Sequence, residues 1–495
     1  MSHHIEITQM DHQIPLLYQT SVNEATDNEI EEGRKVDYLI DIEETNGQDQ
    51  SRLQAIKSAK QIYDRNFKDF NNPSIKSTTI FKVSAGLSES NPNAYKPMLI
   101  TIGPYHKHNT ELRSIEKYKL MYLQRFLRRK EGIDVESYIR EMEELKDEAR
   151  KCYDNIHDFY NDNIGEFLLM LLLDGCFVVE YIRECCGIIP TGEDIIISGG
   201  CLDNQVRRDL LLLENQLPFF VLAKLHDMTM DIDQTSFIIM VKCAFLPSLP
   251  KITPASFVEN EGNAKNIKHI LQLVHMSCHP SDMNNPSIEI EHCGKSLIWI
   301  DIMPNATELC EAGVSFTKVG TVYTYLEEDN FEDCTSLFDI KFENGLMKIP
   351  CFEVVDDTET ILRNLIAYEQ QSPNEHSRYF SDYAVFMDHL IDSEKDVNLL
   401  RLKGVIRNRI GEDKEVANLF NKIGKGVSIS SDFYYKEECR KVVQHCQKPW
   451  NRMKANLRHN YFHSPWAGVS TVAAIILLLL TVIQTILSFI SVLIK

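Results

Sequence analysis

The sequence predicts a mainly α-helical protein: one large helical domain with a small β element, followed by one C-terminal transmembrane helix. Apolar residues recur every three to four positions through most of the middle of the chain, a spacing typical of amphipathic helices. One short stretch near residue 350 alternates instead, and residues 464–494 contain no charged side chain. The composition, with 43% hydrophobic and 25% charged residues among 495, is that of a folded globular protein and excludes a wholly disordered chain.

The net charge of −20 excludes a protein that binds nucleic acid through its overall charge, so we expect no nucleic-acid partner. Residues 1–50 carry twelve acidic residues against Arg34 and Lys35, which predicts a disordered acidic arm. No signal peptide is expected at the N-terminus. The thirteen cysteines form no C-x-x-C pair, which favours a reducing compartment. We expect a linker or leading segment at 51–94 and the helical domain at 95–445.

Helical spacing predicts a series of helices in the first half of the domain. The helix at 164–186 is apolar nearly all round but carries acidic residues, so we expect it to be a buried core helix. A proline should break the fourth helix. The predicted helices are Glu111–Lys130, Glu136–Tyr160, Ile164–Cys186, Val206–Asp227 with its break at Pro218, and Ile267–Cys278.

In the second half the pattern changes. Residues Leu346–Val354 alternate loosely, which predicts a strand, and Pro350 favours an edge position because proline lacks an N–H group. Residues 356–359 supply acidic and threonine side chains suited to the start of a helix over Ile361–Glu369. Further helices are predicted at Phe380–Ile391, Glu415–Ile423 and Phe433–Asn460.

The C-terminal apolar run is long enough to cross a bilayer as a helix, which we place at 466–494. Trp466 should lie at the membrane interface, and Gln484 is a polar group that could mark a helix–helix contact. The preceding segment, 446–465, is basic, and this bias favours a cytosolic domain on a single-pass protein, at the plasma membrane; the opposite topology stays open. The basic residues are Lys448, Arg452, Lys454 and Arg458.

No nucleotide-binding, nucleophile-elbow or zinc-protease motif occurs, so we expect no catalytic, cofactor or metal residues. Two groups of metal-ligand types have spacings that match no zinc module, and we interpret them as unrelated loop residues. They are His275, Cys278 and His279 with His292 and Cys293, and Cys439, His445 and Cys446.

Four acidic residues stand within apolar helices, where a carboxylate needs a partner. They are Asp174, Glu180, Asp209 and Glu214. They could serve as general acid and base in a hydrolase, or bind arginines and helix-end N–H groups. Asp174 and Glu180 leave their helix about 120° apart, so they do not form one site by themselves. The Gly-Pro turn with two histidines in Ile102–His108 is interpreted as a structural turn, with a ligand or partner contact as the alternative.

Five ordered blocks resemble the motifs of the plant "domain of unknown function 247" family over about residues 80–490. The first four begin Pro97-Met-Leu-Ile-Thr-Ile-Gly-Pro-Tyr-His, Leu173-Asp-Gly-Cys-Phe, Asp209-Leu-Leu-Leu-Leu-Glu-Asn-Gln-Leu-Pro and Ala306-Thr-Glu-Leu-Cys. The fifth runs from Ile349-Pro350 through Asn364-Leu-Ile-Ala-Tyr-Glu-Gln. The resemblance assigns functional weight to Gly103, Pro104, Tyr105, His106, Glu116, Lys119, Asp174, Gly175, Glu180, Asp209, Glu214, Asn215, Gln216, Pro218, Glu308, Gly313, Asn364, Glu369 and Gln370.

The resemblance implies a single-pass membrane protein without an established activity. In grasses, members of this family are tied to the self-incompatibility loci as candidate determinants of self-pollen recognition. Our first hypothesis is therefore a membrane-anchored recognition or signalling protein that acts by protein–protein contact. Its partners would be the lipid bilayer and an unidentified protein, such as a second family member or a small secreted ligand. The alternatives are a hydrolase that uses the buried carboxylates and a membrane scaffold without a recognition role.

Overall fold

The computed structural model describes residues 54–63, 78–154, 163–245, 266–280, 303–322, 335–453, 456 and 465–493, with short gaps at 62, 108, 110–111, 113–115, 131, 191, 201, 231–234, 373–377 and 430–431. The predicted acidic arm lies outside these residues. The chain divides into two compact units, 1–71 and 72–495. The first contains a helical stretch at 54–61, and the second contains the elements below.

The second unit is mainly helical, as predicted, with one small sheet. A 3₁₀ turn spans Pro92–Tyr95. The helices are α1 (Ala85–Ser88), α2 (Glu116–Arg128), α3 (Val135–Lys151), α4 (Ile164–Cys185), α5 (Asp203–Leu210), α6 (Phe219–Met228), α7 (Phe237–Phe245), α8 (Ile270–Ser277), α9 (Ala306–Glu311), α10 (Thr358–Gln371), α11 (Tyr379–Leu390), α12 (Glu394–Leu402), α13 (Asp413–Ile423), α14 (Lys436–Gln447) and α15 (Pro465–Leu493). The strands are β1 (Ser315–Val322), β2 (Lys341–Glu343), β3 (Leu346–Val354) and β4 (Ile406–Asn408).

Two helices end earlier than their periodicity predicts, one because of a tertiary contact and one because of a proline. Helix α3 ends at Lys151 because Tyr153 forms a β-bridge with Ile80, and the Cys152 carbonyl accepts the Ile80 N–H at 2.8 Å. Helix α14 ends at Gln447 because Lys448, which precedes a proline, is extended. The predicted helix at 206–227 is two helices, α5 and α6, and the second begins directly after Pro218 as expected.

Strand β3 is the centre of the sheet, so the prediction that Pro350 marks an edge strand was wrong. One side of β3 pairs in parallel with β1. The other side pairs with antiparallel β2 at residues 346–348 and with parallel β4 at residues 352–354. Pro350 lies between these two partners, and its register with β1 shifts between Lys318 and Thr321. The missing N–H group therefore falls where the ladders are already interrupted.

Helix α4 is the centre of the helical core, as its apolar sequence predicts. It packs against α2, α3, α6 and α7, and most of its side chains are buried. Four charged residues are buried on the same helix: Asp174, Glu180, Arg183 and Glu184. Segment 78–95 also contributes to this core, through Ile80 and Leu87 among others.

Helix α15 is long and apolar enough to cross a membrane. Its candidate span, Val469–Ile490, has a mean hydropathy of 2.6, and none of it is buried against the rest of the chain. Two threonine hydroxyls within it donate to carbonyls one turn earlier, Thr481 to Leu477 at 2.8 Å and Thr485 to Thr481 at 2.7 Å. These bonds satisfy the hydroxyl donors within the helix, as an apolar surrounding requires.

Gly175 allows α4 and α6 to approach closely, since a Cβ atom there would lie 2.4 Å from Leu225 Cδ1. We expect Gly175→Ala to reduce the free energy of unfolding by about 1–3 kcal/mol through overpacking. Gly165→Ala on the same helix is the matched control, because its Cβ would meet only Asn163 Oδ1 at 3.5 Å. Thermal unfolding of both variants measures the difference. Equal melting temperatures would contradict the close-packing argument.

Candidate functional site

Most of the motif residues meet around one irregular, buried segment, residues 98–103. Leu99, Ile100 and Ile102 are almost fully buried, but the segment belongs to no helix or strand. Its backbone N–H groups therefore need acceptors from elsewhere in the chain. We call the side chains of Lys119, Asp174, Asp209, Asn215 and Gln216 that surround this segment the polar network.

Asp209, at the end of α5, accepts three consecutive N–H groups of this segment. Its Oδ2 lies 2.7 Å from the Leu99 nitrogen and 2.9 Å from the Ile100 nitrogen, and its Oδ1 lies 3.0 Å from the Met98 nitrogen. Arg208 NH1 donates to Oδ1 at 2.7 Å. Burial raises the pKa of Asp209 above its ordinary value, although the three N–H groups and the arginine oppose that rise. Every oxygen of this carboxylate is thus engaged in holding backbone.

Asn215 continues the same function in the turn after α5. Its Oδ1 accepts the Ile102 N–H at 2.7 Å, and its Nδ2 donates to the Ile100 carbonyl at 3.1 Å. This amide replaces ladder bonds that a strand would provide, because an amide side chain both donates and accepts. The neighbouring Gln216 side chain holds the turn itself, since its Nε2 donates to the Leu210 carbonyl at 2.7 Å, and its Oε1 accepts the Leu271 N–H at 3.2 Å.

Asp174 and Lys119 form a buried ion pair at 2.7 Å beneath the same segment. Asp174 Oδ2 also accepts the Gly103 N–H at 2.9 Å, and Glu116 lies 2.9 Å from the Lys119 ammonium. Burial lowers the pKa of Lys119, but the two carboxylates outweigh it and the net shift is upward. Burial raises the pKa of Asp174, opposed by Lys119. The ammonium group therefore stays charged and paired.

The Gly-Pro turn is a structural turn, as interpreted from sequence. Gly103 has φ +74°, and a Cβ there would lie 2.7 Å from the Gln216 carbonyl oxygen. The following Pro104 is buried. The Tyr105 hydroxyl donates to the Ile80 carbonyl at 2.9 Å. The turn thus packs too tightly for any residue but glycine.

Glu214 and His106 form a partly exposed pair at the end of this turn. The Nε2 of His106 lies 3.2 Å from Glu214 Oε2, and the other carboxylate oxygen accepts the Val83 N–H at 2.8 Å. Both side chains are about 15% exposed. Glu214 therefore also holds backbone, from a segment that precedes the domain's first long helix.

Glu180 lies apart from the polar network, as the helical angle predicts. Its Oε1 accepts from Arg129 Nε at 2.6 Å and from Arg183 NH1 at 2.8 Å. Asp174, six residues earlier, faces Lys119 instead. The two acidic residues of α4 share no partner, so they do not form an acid–base pair.

A second cluster surrounds Glu369 near the end of α10. The Glu369 carboxylate accepts the N–H groups of Phe380 at 2.9 Å and Ser381 at 2.7 Å, and the fully buried His275 lies 2.8 Å away. Gln370 holds a neighbouring loop, since its Oε1 accepts the Ser428 N–H at 3.0 Å. These residues fix the start of α11 against α10.

Asn364, one turn earlier on α10, joins the two clusters. Its Oδ1 accepts the Leu213 N–H at 2.9 Å, next to the polar network. Its Nδ2 donates to the carbonyls of Ala94 and Thr360, each at 2.8 Å. One buried amide therefore ties together three parts of the chain that are far apart in sequence.

Glu308 and Gly313 bound the short helix α9. Glu308 forms a capping box with Asn305, whose Oδ1 accepts the Glu308 N–H at 2.9 Å. Gly313 follows the helix with φ +91°. The Thr307 hydroxyl donates to Asp396 at 2.6 Å. Both side chains of the Asn-x-Thr sequence are thus used within the fold.

The candidate metal-ligand residues do not converge. Within the described residues no group of three or more His, Cys, Asp or Glu side chains is arranged to hold a metal ion, and His292 and Cys293 lie outside them. The interpretation of His275 as a loop residue was wrong: it lies on the buried face of α8, where its ring pairs with Glu369. The same interpretation was wrong for Cys439, His445 and Cys446, which all lie on α14. His279 Nε2 lies 3.3 Å from His275 Nδ1, and burial lowers the pKa of His279 to about 3.

Sequence reasoning missed Glu184, another buried carboxylate of α4. It accepts the N–H groups of Ile197 at 2.8 Å and Ser198 at 2.7 Å, and it pairs with Arg125. The pattern that identified Glu180, an acidic residue within an apolar helix, also applies to Glu184. Its partners could not be inferred, because Arg125 and Ser198 lie on other segments.

Asp382 of α11 is a further buried carboxylate that the sequence analysis did not select. Its Oδ2 accepts the Tyr434 N–H at 2.7 Å, and its side chain is nearly inaccessible to solvent. Burial, with a smaller contribution from Glu369, raises the pKa of Asp382 to about 6, while the Tyr434 N–H opposes the rise. Protonation of this group therefore favours the folded state.

The two membrane residues are only partly described. Trp466 and Gln484 both belong to α15, and the Gln484 side chain is exposed on its surface. The interface position of Trp466 and the helix–helix contact at Gln484 remain predictions.

We expect Asp209→Asn to lower the free energy of unfolding by about 3 kcal/mol, because two buried N–H groups, the partly buried Met98 N–H and Arg208 would face one acceptor oxygen instead of two. Asp356→Asn is the matched control, since Asp356 is exposed. Thermal unfolding measures both. If Asp209→Asn and the control melt at the same temperature, the Asp209 carboxylate is not required for stability. Asp209 would then again be a candidate general acid or base.

We expect the stability of the wild-type chain to fall as pH rises from about 4 to about 6 through Asp382, because the folded state binds the proton more tightly than the unfolded state there. Asp382→Asn should remove this contribution while keeping an oxygen for the Tyr434 N–H. The variant should then be more stable than wild type at pH 7 by up to about 3 kcal/mol, and similar at pH 4. Melting temperatures across this range test it; a difference that does not change with pH would contradict the assignment.

The comparisons agree with the sequence motifs. Residues 80–480 match the family DUF247, described as "Plant protein of unknown function". The UPF0481 protein At3g47200 of Arabidopsis thaliana is 31% identical over 425 residues, which cover 84% of this chain and 87% of that protein. The putative UPF0481 protein At3g02645 of the same plant is 24% identical, over 82% of this chain and 89% of that protein. No solved structure is similar to the chain. The chain belongs to the plant DUF247 family.

Proposed function

We propose that this protein is a single-pass membrane protein whose helical domain acts by protein–protein contact beside the bilayer. The observation that carries the proposal is α15, a 29-residue helix whose candidate span Val469–Ile490 is not buried by the domain. A helix that is apolar on all sides is stable only within a protein core or in lipid. Since the domain does not bury it, the bilayer is the environment that suits it.

The buried carboxylates support a recognition protein over a hydrolase. Asp174, Asp209 and Glu214 each accept backbone N–H groups, and Glu180 binds two arginines. A general base needs a lone pair directed at a substrate, but Asp174, Asp209 and Glu214 direct theirs at the chain's own donors. Glu180 Oε2 has no hydrogen-bond partner among the described residues, but it is buried beside the two arginines that bind Oε1. The hydrolase hypothesis therefore gains no support from the four residues on which it depended. The scaffold hypothesis differs from ours only in needing no specific partner.

Three features support a cytosolic position for the domain. Lys448 and Arg452 precede α15, and basic residues favour the cytosolic flank of a span. Every cysteine that the structure describes is a free thiol, as in a reducing compartment. The Asn-x-Thr sequence is used within the fold, since Asn305 Oδ1 caps α9 and the Thr307 hydroxyl donates to Asp396. A plasma-membrane position is part of the same proposal.

Self-pollen recognition is the finer form of this proposal, and only the family resemblance carries it. The partner would then be a second family member or a small secreted ligand. A secreted ligand requires the domain on the outer face of the membrane, whereas a second family member can meet it on the cytosolic face. The topology evidence above therefore favours the second family member.

We expect deletion of residues 465–495 to move the protein from the membrane pellet to the soluble fraction, because the deletion removes the only span found in the described residues. The melting temperature should stay within a few degrees of that of the full chain in detergent, since α15 is not buried by the domain. Gln484→Leu, which keeps the span, is the control and should stay in the membrane after alkaline extraction.

Chemical cross-linking in cells tests recognition by comparing the full chain with the chain that lacks residues 465–495. The proteins cross-linked to the full chain should also be cross-linked to the soluble chain, with lower yield. Loss of every cross-link on deletion would contradict recognition by the domain, and a truncated chain that stays in the membrane would contradict anchorage by α15.

A further inference from the structure

Helix α14 is fixed rigidly to the sheet just before the basic segment begins. The Glu438 carboxylate accepts the Phe342 N–H at 2.6 Å, and the His445 ring packs edge-on against the Phe342 ring with centroids 5.5 Å apart. Cys439 and Val442 are buried on the same helix. The end of α14 therefore has a defined position on the domain.

A second short helical stretch, 449–453, continues from this fixed end after a bend. Lys448 is extended, with φ −57° and ψ 132°, and Pro449 then begins the new helical turn. Asn451 Nδ2 donates back to the His445 carbonyl at 2.8 Å, and the Arg452 N–H donates to the Lys448 carbonyl at 3.0 Å. We call residues 448–453 the juxtamembrane turn.

The turn presents one apolar and one basic surface to solvent. Trp450 is 72% exposed and Met453 is 46% exposed, and the two lie about 60° apart around a helix, on the side away from the half-buried Asn451. Lys448 and Arg452 are also exposed, and neither forms an ion pair with a described residue. Trp450 and Met453 thus form one exposed side of the turn, and Arg452, about 160° from Trp450 around the same helical turn, projects from another.

We propose that the juxtamembrane turn is a lipid-binding surface that lies on the anionic headgroups of the membrane in which α15 is anchored. Tryptophan favours the interface, where its ring is in an apolar environment and its N–H reaches water. Lysine and arginine next to a span bind anionic headgroups. The chain as a whole, at −20, would be repelled by such a surface, so the positive turn selects which side of the domain faces it. This inference rests on the proposed membrane anchorage.

The length of the connection makes this contact effectively intramolecular. Met453 is followed after eleven residues by Pro465, the first residue of α15, and such a connection spans at most about 40 Å. Tethering at this distance gives a weak lipid contact an effective concentration on the order of millimolar. The turn does not need high intrinsic affinity to remain bound.

The test uses the full chain reconstituted in two vesicle types: phosphatidylcholine alone, and phosphatidylcholine with phosphatidylserine. A brominated phosphatidylcholine in both serves as a quencher of tryptophan fluorescence. The quenching lost on Trp450→Phe is the contribution of Trp450. We expect a large contribution in the serine-containing vesicles and a much smaller one in phosphatidylcholine alone.

Lys448→Gln with Arg452→Gln should weaken the lipid-bound state about 30-fold, since each basic residue near an anionic surface contributes about a factor of five. Trp450 quenching in the anionic vesicles should then fall toward its value in neutral ones. Lys395→Gln with Lys403→Gln removes the same charge from exposed positions at the two ends of α12 and is the matched control. It should leave the quenching unchanged.

Each contrary outcome identifies what has failed. If the chain floats with the vesicles but Trp450 is unquenched in both, the turn projects into solvent and the proposal is overturned, while anchorage by α15 stands. If quenching is equal in both vesicle types and insensitive to the Gln pair, insertion of α15 alone places Trp450 and the electrostatic contact is refuted. If the chain does not float with either vesicle, membrane anchorage and the lipid surface fail together.

Discussion

The carboxylate of Asp209 compensates for the burial of a backbone segment that has no strand or helix to pair its N–H groups. Three consecutive donors, Met98 to Ile100, point to one side chain at the end of α5. Without it each buried N–H would lose its water without gaining a partner. Since Ile100 and Ile102 fill the core beside α4, the irregular segment has to be inside, and the rest of the domain forms around this constraint.

The same solution recurs at other buried backbone groups. Asp174, Glu184 and Glu369 each accept N–H groups from another segment, and each also has a cationic or histidine partner. A buried carboxylate is costly by itself, but several N–H donors and a counter-charge offset the loss of solvation. The motifs that define the family are, in this chain, largely the acceptors of such bonds. Their chemistry serves the fold, so the proposed recognition of a partner would depend on surface residues instead.

The sequence predicts the helices well and the partners of their polar residues poorly, and the reason is physical. Helical periodicity is local, so α4 could be identified as a buried helix from its own residues. The ends of α3 and the place of Pro350 depend on segments remote in sequence, such as Ile80 and β4. The buried acidic residues could be found because charge in an apolar helix is anomalous. Their hydrogen-bond partners could not be predicted, because the spacing of residues within one helix does not specify which backbone segment will pack against each acidic side chain.

The charge distribution connects the two proposals made for this chain. The chain carries a net charge of −20, yet Lys448 and Arg452, with Trp450 between them, lie between the end of α14 and the candidate span. In the proposed arrangement an anionic bilayer attracts the juxtamembrane turn and repels the acidic remainder, so the domain would have a preferred orientation rather than free rotation on its tether. A proposed recognition surface would gain from that constraint, because an ordered orientation reduces the rotational freedom lost when a partner binds beside the same membrane. The proposed anchor and basic turn would then hold and orient a domain whose irregular core segment is fixed by the polar network.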